Sequence, residues 1–439
     1  MLLSIRCAKK KKKFKERKKM RIKLKNVGRI READILIDGI TVICGDNNTG
    51  KSTVGKSLYS IYSAFFDLQE AIQRERMDSI VRLMSSNAYY GNPMSVNANK
   101  AIEELVGQNN PTIDQIRDVV SLVSRGMERE PVKEATTKVA ERIKQYLSVE
   151  EKDIATLFLQ RKLIAEFGGQ LANVNSSSRK ADISLEMRDG IISFHTSGKT
   201  QKLVLDQYFN IEKKLIYLDD PFILDDVNNV RPFYRLRMKG HRGEMAGLIH
   251  RSLDHKHTNA IEEILHNREI QAVIQKMDAV SKGELISKDG LCYYKHEKLK
   301  EEISLTSVST GVKTFAILRT LLMSGYLEEN GIIVFDEPEV HLHPDWQIKL
   351  AEMIVMLQKA YGLNAIITTH SNDFLLALDY YSKEYDTRAN CHFYLTEVDK
   401  KCRNEFPGVL IKDKTEDMES MYSSVSDPYL RLYSKMEGV

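Results

Sequence analysis

Apolar and charged residues alternate from residue 20 onward, and this alternation predicts that the folded part of the chain begins with β-strands. Residues 20–27 (MRIKLKNV) alternate strictly, and apolar runs at 33–37 and 40–44 flank an Asp-Gly pair that is typical of a turn. We therefore predict three short strands over residues 20–44.

Helical spacing replaces this alternation over residues 51–165. The apolar residues that recur with the spacing of one helix face are Val54, Leu58, Ile61, Tyr62, Phe65 and Leu68. Further helices are predicted at 97–107, 112–127, 131–147 and 149–166, with Asn-Pro and Glu-Pro pairs as breaks between some of them.

Strand patterns return in the second half of the chain. Two hairpins are predicted at 183–195 and 285–294, each around an Asp-Gly turn, together with a short buried strand at 215–218 and helical structure over 244–280. From residue 332 to 395, strand and helix patterns alternate. This alternation predicts an α/β fold that has a sheet with a parallel core and covering helices.

The strongest chemical signal is residues 45–52 (GDNNTGKS), which follow an apolar strand and open a helix. This is the phosphate-loop pattern in its expected context, where glycines let the backbone wrap a phosphate and helix N-terminal amides point at it. Lys51 is expected to neutralise the β- and γ-phosphates, and the hydroxyl of Ser52 to bind Mg²⁺. The residues predicted to bind the nucleotide are Gly45, Asn47, Asn48, Thr49, Gly50, Lys51, Ser52 and Thr53.

Two further apolar runs end in polar residues that suit ATP hydrolysis. The run 332–335 leads into Asp336, a predicted Mg²⁺ ligand, and Glu337, a predicted general base; the alternative is an exposed acidic turn after a core strand. The run 365–368 is followed closely by His370, which we expect beside the γ-phosphate with a catalytic role.

A second anion site is predicted where Ser309, Thr310 and Gly311 precede an apolar helix. Because the chain already has a phosphate loop, we expect these three residues to act in trans, on the nucleotide of another subunit. The simpler alternative is that Ser309 is only a helix N-cap.

This ordered set of motifs resembles the ABC-type ATPases, most closely over residues 20–60 and 280–380. The runs 336–344 (DEPEVHLHP) and 369–371 (THS) resemble more narrowly the non-transporter branch, which includes the overcoming-lysogenization-defect nucleases and the ATPase subunits of the Septu and PARIS anti-phage systems. The signature reads STGVK instead of the transporter LSGGQ. The resemblance implies an ABC-type ATPase head that uses ATP and Mg²⁺, and two heads that sandwich two ATP molecules.

Four segments are expected in the chain. They are a basic extension (1–19), an N-terminal lobe of the head (20–65), a mainly helical insertion (66–280) and a C-terminal lobe (281–439). Only 69 residues follow His370, and they lack the acidic DxD pattern of a Toprim nuclease. We therefore expect no nuclease domain. The hypothesis is a homodimer, or an oligomer of dimers, that acts as the sensor of an anti-phage system and controls a separate nuclease or toxin effector.

Nucleic-acid binding is the alternative hypothesis, as in a DNA-maintenance ATPase of RecF or SMC-like type. Basic and histidine residues cluster over 231–256, and the whole chain has a net charge of +4. Residues 1–19, however, carry ten basic residues and one acidic residue, so the rest of the chain is mildly acidic. An acidic body argues against a broad phosphate-binding surface.

Composition favours a soluble cytoplasmic protein without a membrane partner. Hydrophobic residues make up 42% of the chain, but no uncharged run approaches the roughly 18 residues of a membrane helix, and no signal peptide pattern opens the chain. The five cysteines are scattered and never spaced as CxxC, so a disulfide framework or zinc ribbon is not expected.

Three details stay open at the sequence level. A Q-loop equivalent could include Gln170 or the loop 219–222, and Arg29 or Arg31 could stack on the adenine base. The side chains Glu339, His341 and His343 could hold a metal, although the resemblance favours a dimer-contact loop.

Overall fold

Strands from both ends of the chain meet in one mixed sheet of 11 strands. The computed structural model describes residues 19–86, 96–108, 110–123, 130–174, 179–198, 202–228, 240–254, 271–399 and 407–437. The strands in these ranges are β1 (Met20–Val27), β2 (Ile30–Ile37), β3 (Ile40–Cys44), β4 (Asp182–Met187), β5 (Gly190–Ser197), β6 (Lys202–Gln207), β7 (Leu215–Leu218), β8 (Gly283–Lys288), β9 (Leu291–His296), β10 (Ile303–Ser304), β11 (Ile332–Asp336), β12 (Asn364–Thr369), β13 (Cys391–Val398) and β14 (Val409–Asp413).

The order across the large sheet is β6-β5-β4-β1-β2-β14-β13-β3-β12-β11-β7. Its second half is parallel, because β13, β3, β12, β11 and β7 all run in the same direction. The first half, from β6 to β2, is antiparallel. Strand β14 joins the halves, parallel to β2 and antiparallel to β13. The carboxyl ends of β3, β12, β11 and β7 therefore lie at one edge, where ligands bind in open α/β sheets.

Helices cover both faces of the sheet. Those described are α1 (Lys51–Phe65), α2 (Leu68–Ser85), α3 (Val96–Val106), α4 (Ile113–Val123), α5 (Glu130–Leu147), α6 (Glu151–Phe167), α7 (Ile223–Val227), α8 (Gly240–Asp254), α9 (Thr310–Met323), α10 (Pro344–Tyr361), α11 (Asn372–Glu384) and α12 (Met418–Glu437). Residues 271–278 are also helical. No helix in these ranges is long and apolar enough to span a bilayer.

Three hydrophobic cores hold these layers together. One buries α1 and α6 against one face of the sheet. A second packs α8, α9, α10 and α11 on the opposite face. The third lies among α2 to α5 and is centred on Ile80, Ile102, Ile116 and Ile143, which are fully buried. Helices α2 to α5 of the predicted insertion thus share a core of their own, whereas α6 and α8 of the same segment pack on the sheet.

The predicted α/β fold, with a mixed sheet, a parallel core and covering helices, is confirmed. The hairpin β4–β5 extends the large sheet beside β1, and β7 lies directly beside β11. Segment 66–280 therefore supplies strands to the central sheet as well as helices. Strands β6 and β14 and helix α12 had no predicted counterpart.

Some predictions lie outside the described residues. They are the basic extension up to residue 18, the end of the predicted helix 112–127, and residues 255–270 of the predicted helical stretch 244–280. Most of the basic cluster 231–256 is also outside, since neither residues 229–239 nor Lys256 is described.

Candidate nucleotide-binding site

The phosphate loop connects β3 to α1 with two glycines in unusual backbone conformations. Gly45 has φ +145°, and a Cβ there would lie 1.9 Å from Oγ1 of Thr396 in β13. Gly50, at the N-cap of α1, has φ +88°. No larger residue fits at Gly45 without displacing β13. The hydroxyl of Thr49 donates to the carbonyl of Asp46 (2.7 Å), which closes the loop.

The other predicted residues lie in the loop itself and at the start of α1. Asn47 and Asn48 are exposed at the tip of the loop, and Ser52 and Thr53 lie partly exposed in the first turn of α1. The first amides of a helix have no intrahelical acceptor, so the N-terminus of α1 offers donors to an anion.

Lys51 is buried within the loop, with only 3% of its side chain exposed. Its Nζ atom donates to the carbonyl oxygens of Gly45 and Asp46, both at 2.9 Å, and lies 3.1 Å from Oε1 of Glu337. The ammonium is therefore fixed between the phosphate loop and the end of β11.

Asp336 ends β11 and is held from both sides. The Tyr217 hydroxyl of β7 donates to Oδ2 (2.8 Å), and the Thr368 hydroxyl of β12 donates to Oδ1. Such hydrogen bonds orient a carboxylate that ligates a metal. The carboxylate of Asp336 and the hydroxyl of Ser52 line the same cleft and are hard oxygen donors, which fit Mg²⁺.

We call this space the nucleotide cleft, and its volume is about 430 Å³. Its lining consists of residues 218–222 and 336–338 together with Ser52, Thr314, Val340 and His341. Of the two Q-loop candidates, the loop 219–222 therefore lies at the cleft, whereas Gln170 is not among its lining residues.

Glu337 and His370 lie next to each other, just after β11 and β12. Glu337 has φ +51°, a left-handed conformation that is strained for a residue with a side chain and is common at functional sites. Its backbone N–H donates to the carbonyl (3.1 Å) and hydroxyl (3.0 Å) oxygens of Thr368, which fix this conformation. The Nδ1 atom of His370 lies 3.5 Å from Oε1 of Glu337.

Glu339 has a role that the sequence did not reveal. Its side chain is 2% exposed, and Oε1 accepts hydrogen bonds from the Thr369 hydroxyl (2.5 Å) and the His370 backbone N–H (3.1 Å). Burial raises the pKa of Glu339, and the hydrogen bonds oppose this shift only in part. Glu339 therefore holds the turn that carries His370. The only signal in the sequence is its place in the acidic run after β11.

The two histidines of that run contact other residues. His341 is exposed and its ring packs edge-on against Phe222, with the ring centroids 5.6 Å apart. The Nδ1 atom of His343 accepts the N–H of Asp345 (3.3 Å) and caps α10. Within the described ranges, no three His, Cys, Asp or Glu side chains are grouped to hold a metal ion, so the metal alternative has no support there.

The signature residues precede Thr314 on α9, which lines the nucleotide cleft of the same chain. Ser309 is exposed at the N-cap position of α9, but its side chain makes no capping hydrogen bond. Gly311 is buried, and a Cβ there would lie 2.8 Å from the Trp346 ring. None of Ser309, Thr310 and Gly311 lines the cleft.

Of the two candidate adenine contacts, Arg29 lies at the phosphate loop, where its guanidinium donates to the carbonyl of Asn48 (2.5 Å). Arg31 is instead paired with the buried carboxylate of Asp399. Only Arg29 thus contacts the predicted nucleotide-binding segment directly.

Solved structures that resemble this fold include three SMC heads, each 12% identical in sequence. They are the SMC head domain from Thermotoga maritima (TM-score 0.38, covering 90% of this chain and 98% of that chain), the SmcHead bound to the C-winged helix domain of ScpA (0.43, 91% and 98%), and the Smc head with an extended coiled coil bound to the C-terminal domain of ScpA derived from Pyrococcus furiosus (0.40, 91% and 98%). No curated protein matches the sequence.

The phosphate loop at the carboxyl edge of a parallel sheet defines a P-loop nucleotide-binding protein. Residues 20–375 match the AAA ATPase domain family (AAA_15), which is most of the chain. The protein therefore belongs to this family and is an ATPase.

Proposed function

We propose that the protein is an ABC-type ATPase in which two copies of the chain sandwich two ATP molecules. The observation that carries this proposal is the position of Ser309, which lies at the exposed start of α9 and outside the nucleotide cleft of its own chain. A second copy would bring this helix N-terminus to the γ-phosphate held by the first. Each active site then combines the phosphate loop of one subunit with the signature of its partner.

The phosphate loop binds and orients the nucleotide. The α1 N-terminal amides and the Lys51 ammonium supply positive charge to the phosphates. Because Lys51 is nearly buried, its charge is poorly screened by water and interacts strongly with an anion. Ser52 and Asp336 would hold Mg²⁺, which supplies further neutralisation of charge on the phosphate oxygens when bound.

Glu337 is the general base of the proposed reaction. Its Oε1 atom takes a proton from the attacking water, while the left-handed backbone aims the carboxylate at the space between Lys51 and His370. The position of His370 is set by Glu339, which binds its backbone N–H. His370 can donate a hydrogen bond from this position to the γ-phosphate or to the attacking water.

The regulatory part of the proposal is that ATP turnover controls a separately encoded nuclease or toxin of a cytoplasmic anti-phage system. Its support is the sequence pattern at 336–344 and 369–371. In addition, α2 to α5 have a core of their own, so that they can present a binding surface distinct from the head.

A subunit-mixing experiment tests the shared active site. Lys51→Ala removes the phosphate-loop cation, and Ser309→Arg blocks the signature, so each variant alone should be inactive. In a 1:1 mixture half of the dimers contain one copy of each variant, and each of these mixed dimers has one intact composite site out of two. The ATPase activity of the mixture should therefore return to about a quarter of the wild-type activity. A mixture that stays inactive, although mixed dimers are detected, contradicts action in trans.

Purification from the native operon tests the regulatory role. A nuclease or Toprim protein that co-purifies and whose activity changes with ATP supports the proposal. If duplex DNA co-purifies without such a protein, and binds with a strong salt dependence that survives deletion of residues 1–19, a DNA-maintenance role is favoured instead.

A further inference from the structure

Three segments that are distant in sequence meet at His241, in the first turn of α8. Its side chain is only 9% exposed. The Nδ1 atom lies 2.7 Å from Oε2 of Glu166 at the end of α6, and Nε2 lies 3.0 Å from Oδ2 of Asp219, which follows β7. One imidazole therefore connects two helices of segment 66–280 to a wall of the nucleotide cleft.

The local backbone is built around this contact. The Oε1 atom of Glu166 also accepts the backbone N–H of His241 (2.8 Å), so one carboxylate binds both the amide and the ring of the same residue. Gly240 has φ +73°, and a Cβ there would lie 2.2 Å from this oxygen. Only a glycine lets the carboxylate approach α8 so closely.

The contacts require a doubly protonated ring while both carboxylates are ionised. A neutral imidazole has one N–H, so one of its two nitrogens would face an acceptor without a proton between them. Burial lowers the pKa of His241, but the hydrogen bonds with Asp219 and Glu166 and their charges outweigh it, and the pKa rises to about 9. His241 is therefore a buried cation at neutral pH.

A second set of contacts leads from His241 to Asp336. The His241 ring packs on the Tyr217 ring, with the centroids 4.3 Å apart, and the Tyr59 ring of α1 lies edge-on to both. The Tyr217 hydroxyl in turn donates to Asp336 (2.8 Å). A change in the position of His241 would therefore move the side chain that orients Asp336.

Other charged groups surround this cluster. Arg242 pairs with Asp220 and lies 3.8 Å from Asp219. Glu244, also on α8, accepts hydrogen bonds from Ser63 of α1 and Lys162 of α6, and lies 4.0 Å from Lys214. Arg242, Lys162 and Lys214 thus face Asp220 and Glu244, whereas His241 is the cation that contacts both Glu166 and Asp219.

We infer that His241 is a positioning residue for ATP hydrolysis, which links α6 and α8 to Asp336 through Tyr217 and to the nucleotide cleft through Asp219. This inference rests on the proposed active site. It identifies a route by which a partner bound to the helices of segment 66–280 can alter the orientation of Asp336, and hence the rate of hydrolysis.

The test is the pH and Mg²⁺ dependence of ATP turnover in His241→Gln and Glu166→Gln, with His195→Gln as the control. His195 forms a comparable pair with Asp206 (2.9 Å) in the β5–β6 hairpin, away from the cleft. For His241→Gln we expect kcat at pH 7 to fall about tenfold or more, and half-maximal activity to need more Mg²⁺. Binding of ATP without Mg²⁺ should be unchanged.

The pH dependence of kcat distinguishes a positioning role of His241 from a role in stability alone. In the wild type kcat should decline as the pH rises through about 9, because the ring loses a proton. This decline should be absent in His241→Gln. In Glu166→Gln, which keeps an acceptor for the amide of His241 but loses the charge, the decline should move to lower pH.

Two results would overturn the inference. One is a folded His241→Gln protein with wild-type kcat and Mg²⁺ dependence, and the other is an unchanged alkaline decline in both variants. A different result would refute the proposed active site itself, namely ATP hydrolysis that persists in the Lys51→Ala variant. Loss of activity in Lys51→Ala with normal activity in His241→Gln refutes only the role of His241.

Discussion

The Nζ atom of Lys51 lies 3.1 Å from Oε1 of Glu337. Lys51 follows β3 and Glu337 follows β11, and these two strands lie on either side of β12 in the parallel sheet. The candidate phosphate-binding lysine and the candidate general base are thus in contact at the carboxyl edge of the sheet. Any phosphate oxygen that contacts Lys51 lies within reach of a water molecule held by Glu337.

Replacement of Glu337 by Gln should stop hydrolysis but preserve ATP binding. The amide keeps the shape of the side chain but cannot accept a proton, and loss of a general base lowers kcat by about 10²–10⁴-fold. The variant should also accumulate as an ATP-bound dimer, which size-exclusion chromatography with light scattering would detect. Hydrolysis at the wild-type rate would show that Glu337 is not the base.

Replacement of Lys51 by Ala should abolish ATP binding, because it removes the buried cation of the phosphate loop. Isothermal titration calorimetry measures this directly. Lys56→Ala is a matched control, since Lys56 lies on the same helix and is only partly buried. Tight ATP binding by the Lys51→Ala protein would contradict the assignment of the loop.

Replacement of Tyr217 by Phe should weaken Mg²⁺ binding without removing any ligand. The hydroxyl that orients Asp336 is lost, and such losses reduce metal affinity by about 10–100-fold. The measurement is the Mg²⁺ concentration that gives half-maximal turnover. Tyr62→Phe is the control, because the hydroxyl of Tyr62 contacts the sulfur of Met20 (2.9 Å) instead of a carboxylate. Equal Mg²⁺ requirements in the two variants would argue against the orienting role.

The contribution of His241 to stability should depend on pH. The pKa of the ring is about 9 in the folded protein and about 6.5 in the unfolded chain, so folding favours the protonated form. The contribution is complete below about pH 6.5, declines as the pH rises further, and is lost above about pH 9.

Denaturant titrations of the wild type and His241→Gln at several pH values test this dependence. The difference in unfolding free energy should be about 3 kcal/mol at pH 6, because the cation between the carboxylates of Glu166 and Asp219 is lost, and should shrink towards pH 9. A difference that stays constant over this range would mean that His241 is not charged in the folded protein.

The parts that could be predicted from the sequence are those encoded by short contiguous patterns. The run around Lys51 indicates a nucleotide loop because its glycines, lysine and serine have fixed spacing, and the apolar run before Asp336 indicates a buried strand. The strand at 215–218 was predicted with the bounds that β7 has. The position of β7 beside β11 was not predicted, because the order of strands in a sheet depends on tertiary packing.

The residues that the sequence did not reveal act through contacts between distant segments. Tyr217 and Asp336 are 119 positions apart, and Glu166 and His241 are 75 positions apart. No local periodicity links such pairs. His241 also stood in a cluster of basic residues that could equally have been a solvated face, and only the fold shows that it is buried between two carboxylates.

The position of β3 has a consequence for how the protein is made. This strand leads into the phosphate loop and is synthesised early, yet its two neighbours in the sheet are β12 and β13, which lie more than 300 residues later in the chain. Thr396 of β13 even donates a hydrogen bond to Thr49 within the loop (2.9 Å). Pairings over such separations form slowly, and a nascent chain meets them last. A ribosome that stalls after β12 but before residue 391 would release a protein with every residue of its phosphate loop but with one side of β3 unpaired. Such a protein would be a substrate for chaperones and proteases.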